Sequence, residues 1–240
     1  MNIPATKNTD VSPRGAARMP VHVATKKQLF AEFGHIAKAV SNPVRLEMLD
    51  FLAQGECTVE FLAEKCGQKI GNISQHLRLL AQTGLVTQRR EGTFIHYRGT
   101  TTAERLIESL ASAAAEVSPQ VQEITRSYFH AKDDLFKKSN AQLLNEVKRG
   151  DVMLIDVRPS DEFANGHIAG ARSLPLKDLL AEIKKLPKDK EIVAYCRGPW
   201  CVLAVEAVQL LQKNGRSASR LEDGFPQWRA KKLPIASVAS

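Results

Sequence analysis

The chain has 240 residues and a mass of 26.5 kDa, more than one small module needs and less than three domains usually take, so two domains are expected. A hydrophobic content of 43% with 25% charged residues excludes a disordered chain, and no apolar run approaches the roughly 18 residues of a membrane span. The net charge of +8 points to an anionic partner without naming it. The N-terminal stretch has no apolar segment behind its first charges, so it does not read as a secretory signal. Four cysteines, Cys57, Cys66, Cys196 and Cys201, then point to a reducing cytoplasm where thiols serve chemistry or packing.

Residues 1–24 contain three prolines and little apolar periodicity and are expected as a mobile tail. From Lys26 the residues Leu29, Phe33, Ile36, Ala37 and Val40 repeat at helical spacing. Asn42 and Pro43 stop that helix and open the next, Asn42 as N-cap and Pro43 at the first helical position. The second helix is expected to bury Val44, Leu46, Met48, Leu49 and Leu52 and to end near Gly55. Thr58 caps a third with Val59, Leu62 and Ala63 inward. A fourth, over 70–83, buries Ile73, Leu77 and Leu80 and turns Asn72, Gln75 and Arg78 away from the core. Two short β-type runs around Glu91-Gly92 predict a hairpin, followed by a helix over 102–116 and, past Ser118-Pro119, a polar helix to about Lys138.

From Asn140 strands and helices alternate, which predicts an α/β domain with a mainly parallel sheet flanked by helices. A short helix ends at Gly150, then DVMLIDVR reads as a buried strand and GHIAGARSLPL as a turn and short strand. LKDLLAEIKKL is an amphipathic helix, EIVAYC a strand and VLAVEAVQLLQKNG a helix. The expected fold is therefore an α-rich winged helix-turn-helix followed by an α/β domain. Its parts are a tail over 1–24, a first domain over 25–116, a helical linker over 117–138 and a second domain over 139–238.

Two helices, a turn, a third helix and a basic hairpin suit double-stranded DNA, because a polar helix face enters the major groove while the wing follows the backbone. Asn72 and Gln75 match adenine edges, Arg78 matches guanine or a phosphate, and Lys69, Ser74, Arg89 and Arg90 complete the expected DNA-facing set. Between 65 and 98, Lys65, Lys69, Arg78, Arg89, Arg90 and Arg98 stand against Glu91 alone. The bland alternative for each residue is a solvated helix surface.

SNPVRLEMLDFLAQGE and ISQHLRLLAQTGLVTQRREGTFIHYR resemble the ArsR family of bacterial winged-helix repressors over about residues 26–116. That resemblance implies an operator, an inducer that releases DNA, and a homodimer formed by the first helix and the one at 102–116. Metal-sensing members carry a Cys-x-Cys pair after the Gly-Glu turn; here the positions hold Cys57 and Val59, and helix 102–116 has no Cys, His or Asp. No metal and no cofactor are expected, and Cys57 and Cys66 read as packing thiols.

In Tyr195-Cys196-Arg197-Gly198-Pro199-Trp200-Cys201 a cysteine stands at the end of a strand, in a tight loop entering a helix. Converging N–H groups, the helix dipole and Arg197 are expected to stabilise its thiolate, which attacks sulfane sulfur and holds it as a persulfide. A disulfide or half of a metal site is the competing reading. LIDVRPSDEFANGHIAGARSLPL and EDGFPQW make residues 139–235 similar to rhodaneses, with Asp156-Val157-Arg158 at the strand end and Glu162 to Ile168 as the motif that follows. The resemblance implies Cys196 as sulfur carrier, residues 197–201 as the anion-binding loop, and Asp156, Arg158 and His167 as support, His167 reading as a loop-structuring residue more than a base. The loop departs from the family pattern with Gly198 third, Pro199 fourth and Cys201 sixth. An Arg in the sixth position holds thiosulfate in relatives, so its absence argues against that donor. Cys201 is placed to resolve a persulfide through a disulfide, and Trp200 gives an apolar rim suited to a thiol acceptor.

Three readings compete: a regulator in which Cys196 persulfide links sulfur or redox state to DNA binding, a sulfurtransferase that the first domain only tethers or dimerises, and a regulator with an inert rhodanese module. Intact Cys196 and the intact recognition helix favour the first.

Overall fold

The computed structural model describes residues 21–130 and 137–237. The chain divides into residues 1–38 and residues 39–240. In the first of these, helix α1 (Val21–Val40) begins at Val21, inside the stretch expected as a tail; residues 1–20 lie outside the described residues. Its apolar positions Leu29, Phe33 and Ile36 keep helical spacing but are exposed, as is Phe30, whose ring meets Phe33 edge-on at 5.9 Å.

The second unit opens with α2 (Pro43–Gln54), α3 (Val59–Lys65) and α4 (Ile70–Gln82). Local chemistry sets their starts: the Asn42 side chain accepts from the Arg45 N–H at 3.2 Å, and Thr58 Oγ1 accepts from the Phe61 N–H at 3.3 Å. Gly84, at φ +70°, takes the left-handed turn that ends the fourth helix. An antiparallel hairpin of β1 (Val86–Glu91) and β2 (Phe94–Gly99) follows, then α5 (Thr101–Val117), capped by Thr100. Met48, Leu52, Leu62, Ile73, Leu77 and Leu80 are fully buried in one core. Each is worth roughly 2 kcal/mol of transfer free energy, so this stripe fixes which face of α4 stays in solvent. Val44 and Leu46, expected inside, are only half-buried; buried Arg45 lies between them, its Nε donating to the Ala39 carbonyl.

Beyond Ser118 come α6 (Pro119–Ile124) and a π-helical turn over 125–130. The remaining elements are β3 (Lys137–Lys138), α7 (Asn140–Arg149), β4 (Val152–Asp156), α8 (Ser160–Asn165), β5 (His167–Ile168) and β6 (Arg172–Ser173). They continue with α9 (Leu176–Glu182) and its short 3-10 extension, β7 (Glu191–Tyr195), α10 (Val202–Lys213), β8 (Ala218–Leu221), α11 (Phe225–Ala230) and β9 (Ile235–Ala236). A five-stranded parallel sheet has the order β3-β8-β7-β4-β6, while β5 and β9 form a small antiparallel pair.

The expected polar helix up to Lys138 is corrected here. Lys137 and Lys138 pair with Arg220 and Leu221 as a sheet edge, and Lys138 Nζ is held by Glu146 and Glu191 at 2.7 and 2.8 Å. Backbone pairing to the sheet outweighs the helical tendency of a polar run; residues 131–136 of that expectation lie outside the described residues.

Strand alternation builds two cores, one on each sheet face. Ile192, Ala194 and Cys196 point to the layer holding Leu179, Ala204 and Leu211, whereas Val193 and Tyr195 point to the layer holding Leu143, Phe225 and Trp228. Cys196 is thus the last inward position of the central strand's pattern, where the chain leaves the sheet. Among the described residues no helix is long and apolar enough to cross a membrane.

Candidate functional site

The loop 196–201 runs from the end of β7 into α10, whose N-cap is Cys201. Its turn is closed by the Cys201 N–H donating to the Gly198 carbonyl at 3.1 Å. Gly224 forms its floor: a Cβ there would overlap the Arg197–Gly198 peptide, and the following Phe225 N–H donates to the Cys196 carbonyl at 3.1 Å. The chain can approach this closely only without a side chain, so the segment EDGFPQW shapes the loop, and its Pro226 and Gln227 also line the cavity above it.

The two thiols differ. Cys196 is buried, its Sγ 3.5 Å from the Cys201 carbonyl and 3.9 Å from that of Gly198. Burial pushes this thiol up, against the pull of the Gly198 and Ala204 amides. Cys201, half-buried at the helix start, is brought down to about 7 by the hydrogen bond from Cys196, helped by the Arg197 and Leu203 amides. Within this pair burial raises the thiol at 196, and the downward shift falls on 201, nearer the surface. Leu203 and Ala204, not signalled by any motif, contribute because first-turn N–H groups of a helix lack intrahelical acceptors.

Arg197 helps to lower Cys201 by its charge while being ion-paired itself. Its guanidinium pairs with Glu162 (2.5, 3.1 and 3.2 Å) and lies 4.8 Å from the Phe51 ring. Gly198 and Pro199 carry the turn, while Trp200 is 44% exposed at its rim.

Asp156 and Arg158 are fully buried and joined by four side-chain and backbone contacts of 2.6–3.1 Å. Arg158 also donates to the Gly166 carbonyl at 2.8 Å, which ties the strand end to the following turn. His167 is buried, stacked on Phe163 at 3.7 Å between ring centroids, with Nδ1 2.9 Å from the Phe163 carbonyl, so it structures its turn and does not reach the loop's thiols by any of these contacts.

The second unit joins its two halves through residues that no motif marks. Buried Gln54 at the end of α2 donates to the Arg197 carbonyl (3.4 Å) and the Asp50 carbonyl (3.1 Å) and accepts from Arg158 Nη1 (3.2 Å). Arg229 of α11 donates to the Ala53 carbonyl (2.9 Å) and pairs with Glu104 of α5 (2.6 Å). Above the loop these helices leave a cavity of about 650 Å³, into which Cys201, Trp200, Ile107 and Ala111 all face.

On α4, Asn72, Gln75 and Arg78 are exposed together on the face opposite Ile73, Leu77 and Leu80. Lys69 is exposed at the N-cap. Ser74 is half-buried and donates to the Ile70 carbonyl at 2.9 Å, so its hydroxyl serves the helix. Arg89 is engaged by Glu56 (2.7 Å) and Glu91 (2.8 Å), and Arg89 in turn holds the Glu56 carboxyl below its ordinary range. Arg90 is exposed on the wing with Nε on the Gly92 carbonyl. Cys57 and Cys66 are pushed up by burial to about 12 and about 11; Cys57 also exchanges backbone bonds of 2.9 and 2.8 Å with Tyr97. Among the described residues no group of three or more metal-ligating side chains is assembled.

Comparison with known proteins places both halves. A rhodanese-like domain family matches residues 139–231, and a helix-turn-helix domain family matches residues 40–89. The HTH-type transcriptional regulator Rv0324 of Mycobacterium tuberculosis is 38% identical over 212 residues, 88% of this chain and 92% of that protein. A sulfurtransferase of Allochromatium vinosum is 33% identical over 105 residues, 44% of this chain and 95% of its own. The solution structure of a homodimeric winged helix-turn-helix DNA-binding domain from Mycobacterium bovis is 33% identical, covering 45% of this chain and 95% of that one, with a TM-score of 0.37. With that regulator 38% identical across most of both chains, and both domain families matched within this one, the chain belongs to the ArsR-type helix-turn-helix transcriptional regulators and carries a C-terminal rhodanese-like domain.

Proposed function

We propose that this regulator binds a double-stranded DNA operator as a cytoplasmic homodimer and carries sulfane sulfur as a persulfide on Cys196, and that the sulfur state of the loop alters DNA binding. Asn72, Gln75 and Arg78 read base edges, while Lys69 and Arg90 meet phosphates and Arg89 orders the wing. The exposed apolar face of α1 and, on the second unit, Leu110 and Val117 of α5 are the surfaces offered for self-association.

In the sulfur step the Cys196 proton passes to the Cys201 thiolate. The Cys196 thiolate attacks the outer, sulfane sulfur of the donor, the donor's own bond to that sulfur breaks, and the donor leaves with the electron pair. An acceptor thiol later removes the sulfur. The observation that carries the reading is the contact of the loop with the helix-turn-helix half: the Arg197 carbonyl accepts from Gln54 and its guanidinium lies over Phe51, both on α2. A loop that reshapes around an added sulfur changes these contacts first. Gel-shift titration with inorganic polysulfide tests this on wild type and Cys196→Ser. Release of DNA by wild type alone is expected; equal release from both proteins would sink the coupling. The competing reading of a tethered sulfurtransferase predicts sulfur loading with no change in DNA affinity.

A further inference from the structure

We infer that the cavity above the 196–201 loop is the acceptor site and takes an uncharged, apolar organic thiol; this rests on the persulfide reading and adds the acceptor's chemistry to it. The cavity, about 650 Å³, is large enough for a small organic molecule. Leu49, Ala53, Ile107, Ala111, Pro199 and Trp200 line it with apolar surface. Its ionisable lining is unbalanced: Asp50, Glu104 and Glu108 face it against Arg197 alone. That Arg197 is already paired with Glu162, and Glu104 is satisfied by Arg229 from outside the lining, so Asp50 and Glu108 give the wall its net negative charge. Such a wall repels sulfonate and carboxylate thiols and thiosulfate, and the apolar surface has nothing to offer them. Cys201 forms part of the same wall, so a thiol entering the cavity arrives beside the group that takes its proton.

The step is balanced without any oxidant. Cys201, protonated in the loading step, first gives its proton to the outer sulfur of the Cys196 persulfide, and the acceptor RSH then gives its own proton to the Cys201 thiolate so formed. The resulting RS⁻ attacks the outer sulfur of the Cys196 persulfide, a new S–S bond forms, the bond to Cys196 Sγ breaks, and R–S–SH leaves. The Cys196 thiolate then recovers the proton from Cys201.

Full-length protein loaded with inorganic polysulfide is treated with benzyl mercaptan or with 2-mercaptoethanesulfonate, a thiol of similar acidity that adds a fixed negative charge. Intact-mass spectrometry follows loss of the added sulfur. Benzyl mercaptan is expected to unload the protein at least about tenfold faster, within the range that local fields confer on association. Ala111→Trp, and separately Ala115→Trp on the next turn of the same wall, should slow benzyl mercaptan and leave the sulfonate's rate unchanged. Equal rates for the two thiols, or no effect of either Trp variant in a folded protein, would overturn the assignment. If polysulfide never loads Cys196, the persulfide reading falls. Saturation-transfer NMR of benzyl mercaptan on the unloaded protein then decides the cavity by itself: binding lost in Ala111→Trp upholds the ligand class, and no binding in wild type removes it.

Discussion

Asp156→Asn is a sharp test of how the site is built. Asp156 and Arg158 are both fully buried, and the carboxylate receives the Arg158 N–H, Nε and Nη2 across 2.6–3.1 Å. The amide can accept at one oxygen only, and its NH₂ then faces the guanidinium donors, leaving a buried cation with no counter-charge. Breaking such a pair from one side costs about 3–5 kcal/mol, whereas replacing both partners with apolar groups restores much of it. Asp156→Asn is therefore expected to lower unfolding free energy in urea by about 3–5 kcal/mol, and Asp156→Asn with Arg158→Met to recover at least about half of that loss. Emission of Trp228, 1% exposed in the core beside the loop, reports the transition in a Trp200→Phe background. A single-variant cost below about 1 kcal/mol, or a double variant as unstable as the sum of its singles, would refute the account of a charge-compensated strand end.

Three further outcomes follow from the same geometry. With Cys201 near 7 and Cys196, Cys57 and Cys66 all raised, iodoacetamide should modify Cys201 first; its rate should rise with pH to a half-point near 7 as the thiolate forms, and this half-point should move upward in Cys196→Ala, which cannot donate, and stay low in Cys196→Ser, which can. Burial raises Glu104 in spite of Arg229, so its charge in the folded state disfavours folding as pH rises through the carboxylate range. Glu104→Gln should thus cost less than about 1 kcal/mol at neutral pH by urea unfolding, and Arg229→Met about 2–4 kcal/mol, the latter shrinking as acid protonates Glu104. In anisotropy titrations of duplex DNA, Arg90→Ala should reduce the slope of log affinity against log salt by about one, while Arg89→Ala should change it less because Glu56 and Glu91 already neutralise Arg89.

Most of the fold was legible where a local rule acts alone. The cap at Asn42, the buried stripe Ile73-Leu77-Leu80, the hairpin at Glu91-Gly92 and the helix ending at Gly150 all follow from hydrogen bonding or periodicity within a dozen residues. The strand at Lys137–Lys138 was not legible, because its partner lies more than eighty residues away on β8.

The same division runs through the candidate site. The sequence by itself determined which residues share the loop, since Cys196, Gly198 and Cys201 are neighbours on one turn between a strand and a helix, and it determined which helix face stays polar. Tertiary structure decided the charges. Depth in the sheet raises Cys196 and leaves the lowered thiol at Cys201, and Glu162 takes up Arg197. Gln54, Glu104 and Arg229 acquire roles only because the two halves of the second unit meet at the loop. Proton affinity depends on solvent exclusion and on partners brought together by the fold, and neither is encoded in the spacing of residues along the chain.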